Sequence, residues 1–148
     1  MRLVNFAHGD LIAFCVFAML WPSIDAAAIV FAGNLPAILL VPLLLAVGAA
    51  VAVLSEIVKS LTHRGIEPQV YFWRTSTGTE VDFVVETGGK LIPVEVKLSS
   101  TPRPAMASSI KIFREDLGTK ALAGYVVHPG DVRLPLGSGV TAWPFGHF

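Results

Sequence analysis

Cysteine is almost missing from this sequence: Cys15 is the only one. That excludes an internal disulfide and any cysteine-cluster metal site, and inside an apolar run the thiol reads as a small buried hydrophobe. Charge is scarce too. Charged residues make up 15% of the 148 and hydrophobic residues 53%, with a mean hydropathy of +0.66, on the apolar side for a soluble domain. Neither sign dominates, since 11 basic side chains face 11 acidic ones. No polybasic footprint therefore argues, by charge alone, for nucleic acid or anionic lipid. Also missing are the Gly-x-x-x-x-Gly-Lys-Ser/Thr phosphate loop, the Gly-x-Ser-x-Gly elbow, a Cys/His pair and the dinucleotide-binding glycine pattern, so ATP binding by this polypeptide is not expected. His63, His128 and His147 are too scattered to suggest metal ligands.

The few charges are unevenly spread. Only Arg2, Asp10 and Asp25 lie in the first 54 residues, so two compositions are joined in one chain. Leu11 to Ala32 is apolar except for Ser23 and Asp25, and Leu35 to Leu54 carries no charge. A membrane-spanning helix needs about 20 apolar residues, and Gly33-Asn34 followed by Pro36 breaks the two runs into a helical hairpin. With Arg2 before the first run and Lys59, His63 and Arg64 after the second, the positive-inside bias puts both ends in the cytoplasm. The expectation is an inner (cytoplasmic) membrane protein whose C-terminal domain is cytoplasmic. Asp10, Asp25 and the second run weigh against a cleaved signal peptide. Pro22, three residues before Asp25, favours a helix that ends early and leaves this acid at the interface.

After Leu54 the pattern changes to that of an α/β (α+β) domain with a mixed sheet. Residues 55–61 read as one or two helical turns stopped by Gly65 and Pro68. Strands are expected at 70–74, 80–86, 91–98 and 121–127, with a helix from Pro102–Pro104 to Leu117 and loops with one further strand in the tail. Trp73 and Phe72 read as core rather than as base-stacking platforms, and Arg103, Lys111 and Arg114 form only a weak basic surface. If Gly88-Gly89 is a two-residue hairpin turn, opposed positions have numbers summing to 177, so Glu80 faces Lys97 and Asp82 faces Glu95. Alternation then puts Val81, Phe83 and Val85 on one face with Ile92, Val94 and Val96, and Asp82, Glu95 and Lys97 on the other. Asp82 and Glu95 form a non-hydrogen-bonded pair, whose alpha carbons approach to about 4.5 Å. Like charges opposed in this way destabilise a sheet, and a divalent cation between them removes the conflict. Mg²⁺ suits, being typically held by one or two carboxylates and several waters, with Lys97 placed to orient a water or offset phosphate charge. The competing reading is a solvated face with a Glu80–Lys97 ion pair.

Asp82 and Glu95-Val96-Lys97, preceded by a helix bearing Glu56, resemble the PD-(D/E)XK nuclease-like core, which gathers an acid from its first helix, an acid from one strand and the E-x-K of the next around a metal. That resemblance implies Asp82, Glu95, Lys97 and Glu56 as catalytic residues, Asp82 and Glu95 as metal ligands, and DNA as a partner. More narrowly, Tyr71-Phe72-Trp73-Arg74, Glu80-Val81-Asp82-Phe83 and Ile92-Pro93-Val94-Glu95-Val96-Lys97-Leu98-Ser99 look like the C-terminal domain of unknown function carried by a family of prokaryotic AAA-type ATPases. Val4-Asn5-Phe6-Ala7-His8-Gly9-Asp10-Leu11 and the two runs after it are similar to the early transmembrane part of a branched-chain amino-acid ABC transporter permease. These likenesses divide the chain into a permease-like hairpin, 1–54, and a restriction-endonuclease-like domain, 55–148, as in a chimeric or truncated reading frame. Three functions follow as alternatives: a Mg²⁺-dependent nuclease-like module, a non-catalytic interaction domain of an ATPase complex, or a non-functional fragment of a transporter.

Overall fold

A computed structural model describes residues 2–5 and 37–148. The first apolar run and the breaker at Gly33-Asn34 lie outside the described residues. The second run and the short helix expected after it form one helix, α1, spanning Ala37–His63. The composition break at residue 54, where the two domains were expected to meet, falls inside it. A helical backbone is indifferent to that change, because Glu, Lys, Leu and Ala all favour it. The hydroxyls of Ser55 and Thr62 fold back onto the carbonyls of Val51 and Val58, each at 2.8 Å. The helix stops where the glycine predicts: Gly65, at φ +69°, lets its own N–H reach the Thr62 carbonyl at 2.9 Å while that of Ile66 reaches Leu61 at 3.0 Å. This is the paired closure of a Schellman motif.

The two halves of α1 have different surroundings. Ala50, Val53 and Leu54 are at most 2% exposed, whereas Val41, Leu44 and Leu45 are 56%, 67% and 60% exposed. Val41–His63 is long and apolar enough to cross a membrane, its most apolar 18-residue stretch having a mean hydropathy of 2.3, and it is the only such helix among the described residues, where a hairpin of two was expected. One face of its second half packs into the protein core, through Ala50, Val53 and Leu54 and the partly buried Ile57, Val58 and Leu61. Residues 37–49, which precede that core, rise about 20 Å at 1.5 Å per residue, against about 30 Å of bilayer hydrocarbon.

A seven-stranded sheet holds the rest, in the order β1-β2-β3-β4-β5-β7-β6. Its strands are β1 (Arg2–Asn5), β2 (Val70–Arg74), β3 (Glu80–Thr87), β4 (Lys90–Val96), β5 (Gly124–His128), β6 (Leu134–Gly137) and β7 (Val140–Pro144). Thus Arg2–Asn5, from the stretch assigned to a permease-like front, pairs antiparallel with β2. The β2-β3-β4 meander is antiparallel, and β4, β5 and β7 run parallel to one another. The crossover from β4 to β5 is a 3-10 turn, Pro104–Ala107, continuing into helix α2, Ser108–Leu117. Gly118 ends α2. β5 begins later than expected because Ala121 makes only an isolated bridge to Leu91, and the tail supplies two strands rather than one.

The hairpin register is the one expected, with Thr87 opposite Lys90, Val84 opposite Pro93 and Phe83 opposite Val94. Gly88 and Gly89 both have positive φ, +56° and +74°, as a type I′ turn requires. The expected division of faces needs two corrections. Tyr71 pairs with Val84 but Trp73 pairs with Val81, so Asp82 and Phe83 together oppose Phe72 in a bulge. One extra residue reverses the alternation. Val81 therefore packs with Trp73, Val84 and Phe113 beneath α2, while Phe83 and Val85 pack with Val94 and Val127 beneath α1. Nor is either face bare, since α1 packs on one and α2 on the other.

If the second half of α1 is core, one charge there is intolerable and one in the first half is not. Val53→Asp should lower the unfolding free energy by about 3 kcal/mol or more, the scale of a buried unpaired charge, and Leu44→Asp by no more than about 0.5 kcal/mol. Urea titrations followed by circular dichroism check this.

Candidate functional site

Asp82, Glu95 and Lys97 come together where the β3-β4 ladder ends. Beyond the Phe83–Val94 rung, the bulge turns Asp82 so that its Oδ2 accepts the backbone N–H of Val96 at 2.7 Å. A side-chain carboxylate has taken the place of a backbone acceptor. On its other side β4 keeps its parallel ladder with β5, the N–H of Lys97 reaching the Val127 carbonyl at 2.9 Å. Glu95, between Val94 and Val96, points by alternation to the α2 side of the sheet. It is 4% exposed.

Burying a carboxylate demands compensation. Glu95 Oε1 receives it from Lys97 Nζ at 2.6 Å. Its second oxygen, Oε2, is buried and has no hydrogen-bond partner. Burial, followed by the negative charge of Asp82, pushes the Glu95 pKa up from 4.5 to about 7, against the pull of Lys97. Asp82 is also raised, chiefly by burial, although the Val96 N–H and Lys97 oppose the shift. Burial works against the Lys97 ammonium, but its bond to Glu95 and the charges of Glu95, Asp82 and Glu80 together leave its pKa above the usual value. Two carboxylates share one ammonium, which leaves the group short of positive charge.

The competing cross-strand ion pair is not formed: Glu80 lies 3.9 Å from Arg74 instead. Glu56 is not brought to the site. It bonds Lys59 one turn along α1, and α1 docks through Ile57, Val58 and Leu61 on the face of Phe83, Val85 and Val94, opposite to the Glu95 side chain. No group of three or more His, Cys, Asp or Glu side chains is placed to hold a metal among the described residues. Any cation would take Asp82 and Glu95 as its protein ligands and fill its remaining positions with water, which is how Mg²⁺ is commonly held. The unpartnered Oε2 fits that role.

Trp73 is core, as its strand context suggested: it is fully buried, with its ring edge-on to Phe113 at 5.2 Å. His128 has a role that the pattern alone did not reveal. It is 1% exposed; its Nδ1 accepts the Gly130 N–H at 3.1 Å, so Nε2 carries the proton and donates to the Val132 carbonyl at 3.0 Å. A neutral histidine thereby fastens the loop that follows β5 at the edge of the site. The run His128-Pro129-Gly130 marked that turn, but nothing local showed the ring turning inward.

Uncharacterized proteins of Mycobacterium bovis and Mycobacterium tuberculosis are each 37% identical to this chain over 75 residues, which is 51% of the chain and 16% of the relative. The chain thus spans a small part of the length of these relatives. No solved structure matches it. The model of one family, described as a domain of unknown function (DUF4143), matches residues 51–148, a stretch that opens within the buried half of α1 and includes β2 to β7, and the chain belongs to that family.

Proposed function

We propose that the domain is the C-terminal module of an ATPase-like protein, and that Asp82 and Glu95 bind one Mg²⁺ at which Lys97 assists phosphodiester hydrolysis of DNA. Membership of the family supports the first part. The second rests on one observation, the buried Glu95 Oε2 with no partner beside a second carboxylate. When bound, the cation supplies Lewis acidity and a polarised water. The chain's own groups do the rest. The Val96 N–H fixes Asp82 Oδ2, so Oδ1 is the oxygen that would be left for the cation. Lys97 holds Glu95 Oε1, orienting the carboxylate, and its ammonium is placed to offset charge gathering on a phosphate oxygen. Glu56, on the far side of the sheet, is left out of this assignment.

For localisation we propose the inner (cytoplasmic) membrane, with the sheet domain on the cytoplasmic side. The exposed Val41, Leu44 and Leu45 support this reading, because lipid or other protein chains of an ATPase or transporter assembly would remove them from water. A permease-like transport activity is not carried forward.

Metal binding should register as stability. A ligand with Kd about 1 mM, supplied at about 10 mM, stabilises the folded state by about 1.4 kcal/mol. Mg²⁺ or Mn²⁺ should therefore raise the melting temperature, and Asp82→Asn should abolish that rise while leaving the metal-free fold as stable or more so, since Asn still accepts the Val96 N–H and one of two facing charges is gone. Differential scanning calorimetry with and without Mg²⁺ decides the matter; an unchanged transition in the wild type favours a non-catalytic interaction domain.

The pH dependence of the metal-free chain follows from Glu95. The folded state keeps a proton there between pH 4.5 and about 7 while the unfolded chain releases it, so the folded state binds more protons and stability falls as pH rises. Urea unfolding should show a loss of about 3 kcal/mol between pH 4.5 and 8, at about 1.36 kcal/mol per unit of pKa. Glu95→Gln should remove this contribution and leave only what the raised Asp82 adds in the same direction. Mg²⁺ should stabilise more at pH 8 than at pH 5, because it competes with the proton for Glu95.

A further inference from the structure

The opposite face of the sheet carries a cleft, separate from the carboxylate pair. Between the last turns of α1 and strands β3, β4, β5 and β7 lies a cleft of about 690 Å³, within the range of small-molecule pockets. It follows α1 from Glu56 to Arg64, about 12 Å at the rise of a helix. Its floor is aliphatic, formed by Val85, Ile92, Val94 and Val127, and Tyr125 and Trp143 stand at one side with their rings edge to face, 5.7 Å apart. The rim is different in kind. Lys59 and Glu56 neutralise each other, but His63, Arg64 and His147 enter no ion pair among the described residues. The backbone at His63 and Arg64 is fixed by the closing turn that Gly65 and Ile66 lock, and both side chains are exposed.

We propose that this cleft binds an amphiphilic anion of the acyl-carboxylate class, with its chain on the aliphatic floor and its carboxylate at Arg64, His63 and His147. The charge is complementary: a largely apolar trough with an uncompensated guanidinium at its edge suits one negative head on an apolar body. A neutral hydrocarbon would leave that rim unused, and a polyanion would find no partner along the floor. The site is separate from the exposed Val41–Leu45 face, whose near end lies about 16 Å further up the same helix.

The test uses the full chain and monomeric dodecanoate, followed by isothermal titration calorimetry, with dodecan-1-ol as the uncharged control. Dodecanoate should bind at one site, with the alcohol about tenfold weaker or worse, the scale of a lost charge-assisted contact. Arg64→Glu, an exposed substitution that leaves the core intact, should weaken dodecanoate by a similar factor. Ile92→Trp, which fills the floor, should block it, whereas Leu44→Asp should change nothing. Equal affinity for acid and alcohol overturns the proposal, as does binding that survives Arg64→Glu but is lost in Leu44→Asp, which assigns it to the apolar half of α1. Two further results also overturn it: self-association that competes with dodecanoate, which makes the occupant a second copy, and Arg64-dependent attachment to phosphatidylglycerol vesicles with no binding of the monomer, which makes the rim a membrane contact. Because Asp82 and Glu95 lie across the sheet, failure here leaves the Mg²⁺ response of the wild type unchanged, and the two readings fail separately.

Discussion

β4 is the central strand of seven, and both of its faces are covered. That constraint governs the candidate site. A residue on such a strand has no solvent to turn to, so a glutamate in the alternation must be buried whichever side it takes. Glu95 goes beneath the α2 layer, where Lys97 two residues along the same face can reach it and the bulged Asp82 closes in from β3. The one ammonium does not satisfy both carboxylates. The result is a buried acid held near neutrality and an oxygen with nothing to bind. A cation resolves that deficit, and so does a proton; this is why metal affinity and pH-dependent stability are two views of one arrangement.

The bulge at Asp82-Phe83 is what makes the arrangement possible. With regular pairing, Asp82 would sit as an ordinary cross-strand neighbour and Val81 would share a face with Phe83. One additional residue lets Phe83 fill the α1 side and Val81 the α2 side, and frees Asp82 to bond the Val96 N–H at the seam between strands. Hydrophobic packing on both faces thus fixes an acidic side chain in the plane of the sheet. Bulges recur beside functional sites because they re-aim a side chain in this way.

The sheet also separates two chemistries. On one side are buried titratable groups with unmet hydrogen-bonding capacity; on the other, beneath α1, is an aliphatic trough with the Arg64 guanidinium at its edge. α1 ties the second to the upstream half of the chain, since the helix that roofs the cleft is the one whose first turns expose leucine and valine.

Much of this was legible in the residues. Gly88-Gly89 determined the turn, the turn determined the register, and the register brought Asp82 and Glu95 to adjacent strands, all within about a dozen residues where local rules suffice. Gly65 and Gly118 marked helix ends for the same reason. What the sequence could not decide depended on partners far along the chain. Alternation predicts faces only while pairing is regular, and the bulge is forced by β2 and by the two layers that Phe83 and Val81 must fill. An apolar run reads alike whether lipid or a sheet receives it, so the second half of α1 was indistinguishable from a membrane span until Val94 and Val127 were seen against it. Glu56 shows the same limit: its spacing from Asp82 and Glu95 said nothing about which side of the sheet its helix would cover, and that side was decided by tertiary packing, because only there do the faces of separate elements meet.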